Sequence, residues 1–227
     1  MNWADHLISY YAELKPPQKL PNDIQWLYPQ QDPQTFKIVE TFFHKFYNDN
    51  RSRRIFLGIN PGRFGAGVTG VNFTAPRQLV DVCGIKHPFG QGTELSAEFI
   101  YDLIASYGGP ERFYQDFFIG SVCPLGFVKN GRNLNYYDDP QLLMTLRPFI
   151  INNLDRLVSY PMDRTVCYCI GGEKNFRFLQ SLNMEFQWFK NIEPLPHPRF
   201  IMQYRRKQKE QFIHQYLQLI TKTSTGI

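Results

Sequence analysis

The sequence contains few cysteines, and their spacing is not that of metal ligands. The cysteines include no CxxC pair and no ladder of four ligands (Cys83, Cys123, Cys167 and Cys169). Structural zinc and iron–sulfur sites depend on such pairs, so we expect no metal site. Cys167 and Cys169 lie two residues apart in an apolar run, which predicts two small core residues on one face of a strand.

Long hydrophobic runs are also absent. No run approaches the roughly 18 apolar residues of a membrane span. Residues 1–5, MNWAD, do not resemble a signal peptide. We therefore expect a cytoplasmic protein with free thiols, no secretion signal and no membrane contact.

The apolar content is sufficient for one well-packed domain. The chain has 227 residues, of which 43% are hydrophobic and 16% aromatic. This length predicts a single domain over 1–227, in which residues 1–33 form a helix and a proline-spaced arm. Most of the 20 Phe and 13 Tyr are expected in the core, while some could stack on bases. The net charge of +5 suggests a nucleic-acid partner only if the basic residues cluster beside a site.

Strand-like and helical patterns alternate along the chain. Short apolar runs predict strands at 55–57, 117–122, 165–170 and, more briefly, within 186–195. Helical spacing predicts helices at 2–14, 34–47, 76–82, 96–107, 140–158, 173–182 and 201–220. Residues 130–135 are predicted to be a loop, and 221–227 to fray. Because the strands alternate with helices and run into Gly/Pro loops, we predict an α/β fold with a mostly parallel sheet.

The stretch 55–73, IFLGINPGRFGAGVTGVNF, joins a predicted buried strand to a glycine-rich loop. Open α/β sheets bind ligands at the carboxyl ends of their strands, so this loop is a candidate site. A dinucleotide fingerprint would require GxGxxG opening directly into a helix, but no good helix is predicted before Pro76. The phosphate loop GxxxxGK[ST] is absent as well. We therefore expect no nucleotide cofactor.

Polar groups follow three of the predicted strands. They are Asn60 in the Asn-Pro-Gly corner, Ser121 with the nearby Cys123, and His197 between two prolines. The carboxyl ends of parallel strands meet at one edge of a sheet, so these groups are expected to converge. A nucleophile triad is disfavoured because no GxSxG elbow frames Ser121. Either Asn60 or His197 alone would suggest a turn residue, but the two together favour a site.

The order and spacing of several short motifs resemble one enzyme family. The motifs are GINPGRFG at 58–65, TGVNF at 69–73, CPL at 123–125, GRNL at 131–134 and HP at 197–198. Together they are similar to the single-strand-selective monofunctional uracil-DNA glycosylases, over roughly residues 55–208 and with a bacterial side branch as the nearest likeness. This resemblance implies a three-layer α/β/α fold with a parallel four-stranded sheet flanked by helices.

The resemblance also implies a reaction and roles for particular residues. Such enzymes flip a damaged base out of DNA and hydrolyse its N-glycosidic bond. By resemblance Asn60 positions the attacking water, and a neutral His197 donates a hydrogen bond to O2 of the leaving base. Phe73 would stack on the base, the backbone N–H of Ile59 would contact the leaving oxyanion, and Gly62 would leave room for C5 substituents. The implied partner is DNA that contains uracil or another deaminated base, bound by a monomer without a cofactor.

The sequence departs from the family pattern at Ser121. The animal-type members of the family read the base edge with an asparagine two residues before CPL, and the corresponding residue is Ser121. A serine hydroxyl is shorter than an amide and can rotate between donor and acceptor. We therefore predict looser base selection, which would admit xanthine and hypoxanthine.

A basic segment, RFIMQYRRKQK at 199–209, follows the HP motif. By resemblance this segment enters the duplex as a wedge. Its predicted inserting or stacking groups are Arg199, Phe200 and Tyr204, and its predicted phosphate contacts are Arg205, Arg206, Lys207 and Lys209. Two alternatives remain open, namely a catalytically silent nucleic-acid-binding module on the same fold and a hydrolase of small nucleosides.

Overall fold

A computed structural model describes residues 1–222 of the chain. A central sheet contains four of the strands in this part of the chain, and a smaller sheet contains the others. The strands are β1 (Gln25–Leu27), β2 (Arg53–Gly58), β3 (Phe117–Ser121), β4 (Gly126–Lys129), β5 (Arg132–Leu134), β6 (Met162–Ile170) and β7 (Asn191–Leu195). The helices are α1 (Trp3–Ala12), α2 (Pro33–Phe46), α3 (Ala66–Thr69), α4 (Pro76–Asp81), α5 (Leu95–Tyr107), α6 (Pro110–Asp116), α7 (Pro140–Val158), α8 (Glu173–Phe186), α9 (Pro198–Tyr204) and α10 (Lys209–Lys222).

The central sheet has the strand order β3-β2-β6-β7, and every neighbouring pair is parallel. All six residues of β2 are buried, including the apolar run that predicted the strand. Helices must therefore cover both faces of this sheet, as is usual for parallel sheets. The predicted three-layer α/β/α class with a mostly parallel four-stranded sheet is confirmed.

The second sheet is antiparallel, has the order β1-β4-β5, and was not predicted. The prediction of a loop over 130–135 is wrong, because β4 and β5 form a hairpin there. Its two-residue turn is Asn130-Gly131, with φ of 50° and 71°. Two successive residues with positive φ match the right-handed twist of a tight hairpin, and Asn-Gly is the usual sequence for such a turn. Strand β1 pairs β4 from within the predicted proline-spaced arm.

Capping residues fix the helices that were predicted most accurately. Asp32 accepts a hydrogen bond from the Thr35 backbone N–H at 2.8 Å and begins α2. Asp139 accepts from the backbone N–H groups of Gln141 and Leu142 and begins α7, whose bounds match the predicted 140–158. Each cap satisfies backbone donors that have no partner within the helix. The short helices α3 and α6 were not predicted.

The predicted single C-terminal helix over 201–220 is wrong. Helix α9 ends at Tyr204, and a 3-10 turn (Arg206–Gln208) separates it from α10. Ile201 and Met202 are buried, but the next buried residue is Ile213. Helices in proteins are held mainly by an apolar face, which the intervening segment lacks. Of the residues predicted to fray, 221–222 lie within α10, and 223–227 lie outside the described residues.

The hydrophobic core is rich in aromatic side chains, as the composition predicted. Trp3 of α1 is fully buried, and its indole N–H donates to the Arg51 carbonyl at 2.7 Å, which holds the N-terminal helix against the start of β2. Phe56 of β2 stacks on Phe113 with ring centroids 5.8 Å apart. All four cysteines are buried and unpaired. None of the helices within residues 1–222 is long and apolar enough to cross a membrane.

Candidate active site at the carboxyl edge of the parallel sheet

The parallel register brings the three predicted strand ends to one edge of the central sheet. Gly58 at the end of β2 lies opposite Ser121 at the end of β3, and His197 follows the end of β7. A cavity of about 460 Å³ opens between these ends. Its wall consists of Ile59, Asn60, Pro61, Gly62, Arg63, Phe64, Gly65, Ala66, Asn72, Phe73, Glu94, Ser96, Ser121, Arg132, Asn133, Leu134, Asn135, His197 and Arg199. The predicted catalytic and substrate-binding residues therefore share one pocket.

The Asn60 side chain is held by backbone groups at the end of β5 and just beyond it. Its Nδ2 donates to the Leu134 carbonyl at 3.1 Å, and its Oδ1 accepts from the Tyr136 N–H at 3.0 Å. An amide oxygen has two lone pairs, so Oδ1 can accept one further hydrogen bond. The orientation of the amide is thus fixed before any substrate arrives.

The His197 ring has a defined tautomer. Its Nδ1 accepts a hydrogen bond from the Arg199 backbone N–H at 3.0 Å, as the N-cap of α9. Nδ1 must therefore be unprotonated, which puts the ring proton on Nε2 as a free donor. Burial, assisted by the charge of Arg199, lowers the pKa of His197 to about 4. The ring is neutral at pH 7.

Phe73 occupies the pocket in a strained backbone conformation. Its φ is 52°, which is an outlier for a bulky residue. A Cβ on Gly58 would lie 2.6 Å from Phe73 Cε2, so this ring needs a glycine at the end of β2. The Phe73 and His197 ring centroids are 6.4 Å apart. The site is therefore formed by an aromatic face beside a histidine donor.

Ser121 does not present its hydroxyl to an empty pocket. Its Oγ donates to Asn72 Oδ1 at 2.8 Å, and Asn72 Nδ2 donates to the Tyr11 hydroxyl at 3.0 Å. Asn72 also lines the pocket, although no role was predicted for it from the sequence. Its position directly before Phe73 was the only available signal.

Ile59 and Gly62 form part of the wall on either side of Asn60. The Ile59 side chain is buried, and its carbonyl accepts from the Cys123 N–H at 3.1 Å, which joins the loops after β2 and β3. A Cβ on Gly62 would lie 3.4 Å from Asn133 Nδ2. Gly62 therefore faces the hairpin, and any larger residue there would have to share that space.

The β4–β5 hairpin provides pocket residues that the predicted loop did not suggest. Asn133 Oδ1 accepts from the Arg63 N–H at 3.2 Å, and the Arg63 guanidinium donates to the Gly131 carbonyl. The same guanidinium lies 4.4 Å from the Phe64 ring centroid. Arg132 is exposed on the hairpin and lines the pocket. The Asn-Gly turn at 130–131 was the sequence signal for this arrangement.

The predicted DNA-binding residues lie at and beyond α9. Arg199 lines the pocket, while Phe200 and Tyr204 project outward, 47% and 62% exposed, with ring centroids 5.6 Å apart. The helix break leaves a run of exposed basic side chains outside the pocket wall, namely Arg205, Arg206 and Lys207. Two of the basic side chains here already face carboxylates of α5: Arg206 Nη2 lies 3.8 Å from Glu98 Oε2, and Lys209 Nζ lies 2.8 Å from Asp102 Oδ2.

The cysteine beside Ser121 is not arranged as a nucleophile. Cys123 is fully buried and does not belong to the pocket wall. Burial raises the pKa of the Cys123 thiol to about 12, and only a thiolate would be reactive. Within residues 1–222, no group of three His, Cys, Asp or Glu side chains comes together in a way that could hold a metal ion.

Comparisons with known proteins agree with this fold. Residues 44–221 match the model of the uracil DNA glycosylase superfamily. The crystal structure of wild-type SMUG2 from Pedobacter heparinus is 40% identical, with a TM-score of 0.95 and coverage of 100% of both chains. The single-strand selective monofunctional uracil-DNA glycosylase of Rattus norvegicus is 33% identical over 104 residues, which are 38% of this chain and 37% of the rat protein.

The protein has a parallel α/β sheet with a polar pocket at its carboxyl edge, and the family match covers most of the chain. Together these features define the class to which it belongs. The chain belongs to the uracil DNA glycosylase superfamily, in its SMUG-type branch. It is thus, by family, a hydrolase of the uracil-DNA glycosylase type. The resemblance stated from the sequence is confirmed.

Proposed function

We propose that this protein is a monofunctional DNA glycosylase of base excision repair. Its substrates are uracil, other deaminated bases such as xanthine and hypoxanthine, and C5-substituted uracils in DNA. It acts as a single-domain monomer in the bacterial cytoplasm and needs no cofactor. The observation that carries the proposal is one pocket that holds a prealigned amide, a neutral histidine with a free N–H and an aromatic face (Asn60, His197 and Phe73).

In the proposed reaction, Asn60 orients a water molecule towards C1′ of the flipped nucleotide. The Tyr136 N–H occupies one lone pair of Oδ1 at 3.0 Å, and the water donates to the other. The water oxygen bonds to C1′ while the electrons of the N-glycosidic bond leave with the base. Water loses a proton to solvent, and the base anion gains one. An amide suffices because the developing oxocarbenium ion is strongly electrophilic.

His197 stabilises the leaving base by donating from Nε2 to O2, where negative charge develops. A donor fixed in advance costs no reorganisation at the moment of bond cleavage. The neutral ring is favoured because a charged ring would lose hydration in the pocket wall. The Ile59 N–H is a further donor to the same oxygen. None of the described residues that line the pocket is a lysine, so no Schiff base is formed, and the strand stays intact.

Phe73 stacks on the flipped base, and Gly62 leaves space beside C5. Phe200 and Tyr204 are exposed enough to enter the duplex and fill the space that the base vacates. Arg199 lies between this wedge and the pocket. The exposed run at 205–207 holds phosphates. Lys209 is the weakest candidate because its ion pair with Asp102, at 2.8 Å, is shorter than that of Arg206 with Glu98, at 3.8 Å.

The decisive test incubates the protein with DNA oligomers that contain uracil, xanthine or hypoxanthine and then applies alkali. We expect free base and strand breaks that appear only after the alkali step. Binding without base release would indicate a silent nucleic-acid-binding module, and turnover of free nucleosides alone would indicate a nucleoside hydrolase. Strand breaks before alkali would contradict the monofunctional reaction.

Removing the charges of Arg205 and Arg206 should flatten the salt dependence of DNA binding. If each arginine contacts a phosphate, Arg205→Gln/Arg206→Gln should reduce the slope of log affinity against log salt by about one unit per contact. Fluorescence anisotropy at several salt concentrations measures this slope. The matched control is Arg112→Gln/Lys190→Gln, which removes two exposed charges near the amino ends of β3 and β7. Equal slopes for both double variants would remove 205–206 from the interface.

A further inference from the structure

Asn72 has an environment that the roles assigned so far do not explain. Its side chain is 8% exposed and lies in the pocket wall, directly before the proposed stacking residue Phe73. The base-reading asparagine that the resemblance implies is replaced by Ser121, whose Oγ contacts Asn72. The pocket thus has no side-chain amide at position 121 but has one at position 72.

The contacts of Asn72 leave half of its hydrogen-bonding capacity free. Ser121 Oγ donates to Oδ1 at 2.8 Å, and Nδ2 donates to the Tyr11 hydroxyl at 3.0 Å. An amide has two donor hydrogens and two lone pairs. Among the described residues, no other hydrogen bond engages this side chain. One N–H and one lone pair therefore remain on a nearly buried group at the wall of the pocket.

The segment that carries Asn72 is held rigidly. Thr69 Oγ1 donates to the Thr74 carbonyl at 2.7 Å and accepts from the Val71 N–H at 3.2 Å, so one side chain clamps both ends of the segment 71–74. The strained backbone of Phe73 lies inside this clamp. The amide and the aromatic ring are therefore positioned as one unit.

We propose that Asn72 reads the hydrogen-bonding edge of the flipped base, and that Ser121 and Tyr11 position its amide. Nδ2 donates to the base carbonyl, which is O4 of uracil or O6 of hypoxanthine and xanthine. Oδ1 accepts from the adjacent ring N–H. All three bases share this lactam edge, so one amide serves a pyrimidine and two purines. This inference rests on the proposed function. In it Asn72, and not Ser121, contacts the edge of the base directly.

The orientation of the amide determines which bases are rejected. Cytosine and adenine present an amino group beside an unprotonated ring nitrogen, which is the reverse of a lactam edge. A fixed amide would place donor against donor and acceptor against acceptor, and mismatched buried polar groups are costly. Ser121 donates to Oδ1 and so holds that atom as the acceptor. Tyr11 is 3% exposed, and burial raises the pKa of its hydroxyl far above the usual range, so it stays neutral.

The test is a cycle that pairs enzyme variants with substrate analogues. Single-turnover excision rates are measured for uracil and for pyrimidin-2-one, which lacks both the O4 carbonyl and the N3 hydrogen. Comparing wild type with Asn72→Ala cancels the intrinsic difference in leaving-group reactivity. We expect the variant to lose about 10- to 100-fold on uracil and far less on pyrimidin-2-one, since a lost hydrogen-bonding pair is worth roughly 1–3 kcal/mol.

Further variants separate reading from folding. Asn72→Asp keeps an acceptor for both Ser121 and Tyr11, whose hydroxyls can rotate, but it cannot donate to the base carbonyl. It should therefore fold and show the same selective loss. Ser121→Ala and Tyr11→Phe should mainly reduce the preference for uracil over cytosine, by about tenfold on the same scale. The matched control is Asn153→Ala, which removes an equally buried asparagine bonded to the Phe149 carbonyl of α7 and should leave the substrate preference unchanged.

The outcomes distinguish this inference from the proposed function. If wild type excises uracil but Asn72→Ala and Asn72→Asp slow both substrates equally, Asn72 does not read the base. If Ser121→Ala abolishes the difference between the two substrates while Asn72→Asp retains it, Ser121 is the direct reader. If wild type releases no base from any oligomer, the proposed function fails, and the role of Asn72 fails with it.

Discussion

Replacing Asn60 by alanine is expected to lower single-turnover excision of uracil by a factor on the order of 10²–10⁴ and to leave DNA affinity nearly unchanged. This range is typical for a side chain that positions or activates a reactant in the transition state. The amide lines the pocket, whereas the exposed basic run at 205–207 lies outside the pocket wall, so binding should depend on the amide little. Quenched-flow base release measures the excision rate, and anisotropy with an uncleaved analogue measures the affinity.

Asn183 provides a matched control for this substitution. Its Nδ2 donates to the Phe189 carbonyl at 2.8 Å, and its Oδ1 accepts from the Phe189 N–H at 2.8 Å. Asn60 makes the same kind of backbone contacts through Leu134 and Tyr136. Asn183→Ala should therefore lower the melting temperature comparably but keep full excision. Full activity of the Asn60→Ala variant would remove Asn60 from the mechanism.

The central sheet was predictable because its strands carry their own signal. β2 and β3 are buried at every residue, and each contains a short continuous apolar run, 55–57 in β2 and 117–119 in β3. The β4–β5 hairpin gives no such signal. Arg132 and Asn133 are exposed, and a three-residue strand with polar side chains has no apolar alternation. Only the turn chemistry of Asn130-Gly131 indicated it.

The same contrast applies to the site. Asn60, Ser121 and His197 lie at or just beyond the carboxyl ends of strands in one parallel sheet, so their convergence could be predicted from the order of strands alone. The proposed role of Asn72 could not be predicted from the sequence, because it depends on a loop in which the next residue, Phe73, has a φ of 52°. Its contact with Ser121 spans 49 positions of sequence. No periodicity in the sequence encodes a contact between a strained loop and a strand end.

The β4–β5 hairpin links the fold to the site. The hairpin was not predicted, yet it orients Asn60, which was predicted as a site residue. Leu134 ends β5 and Tyr136 lies two residues beyond it, and their backbone groups make the two shortest hydrogen bonds to the Asn60 amide. The hairpin also places Asn133 against Arg63 and Gly62. The central sheet therefore determines where Asn60 lies, and the antiparallel sheet determines how its amide is oriented.

Replacing His197 by alanine is expected to lower uracil excision by about 10²–10³-fold, the usual cost of losing one donor to a developing oxyanion. Two conservative variants separate the functions of the two ring nitrogens. His197→Gln places an amide N–H near the position of Nε2 and should recover part of the rate. His197→Asn places an acceptor near Nδ1, which can keep the contact with the Arg199 N–H and the start of α9, but it should stay as slow as His197→Ala. Equal recovery by both variants would contradict donation from Nε2.

The lowered pKa of His197 predicts an acid limb in the excision rate. The rate should be flat from about pH 9 to about pH 6 and should fall as the pH approaches the ring pKa of about 4. Protonation puts a hydrogen on Nδ1, which then faces the Arg199 N–H as donor against donor, so the ring must leave its position.

The same protonation affects stability. Between the ordinary pKa of 6.5 and the folded-state value of about 4, the unfolded chain binds a proton that the folded ring does not. Stability therefore falls as pH decreases through this window. Because glutamine does not titrate, the His197→Gln variant should lose both this part of the acid destabilisation and the acid limb of the rate, while carboxylates contribute equally to both proteins. An unchanged acid limb in that variant would assign the titration to another group.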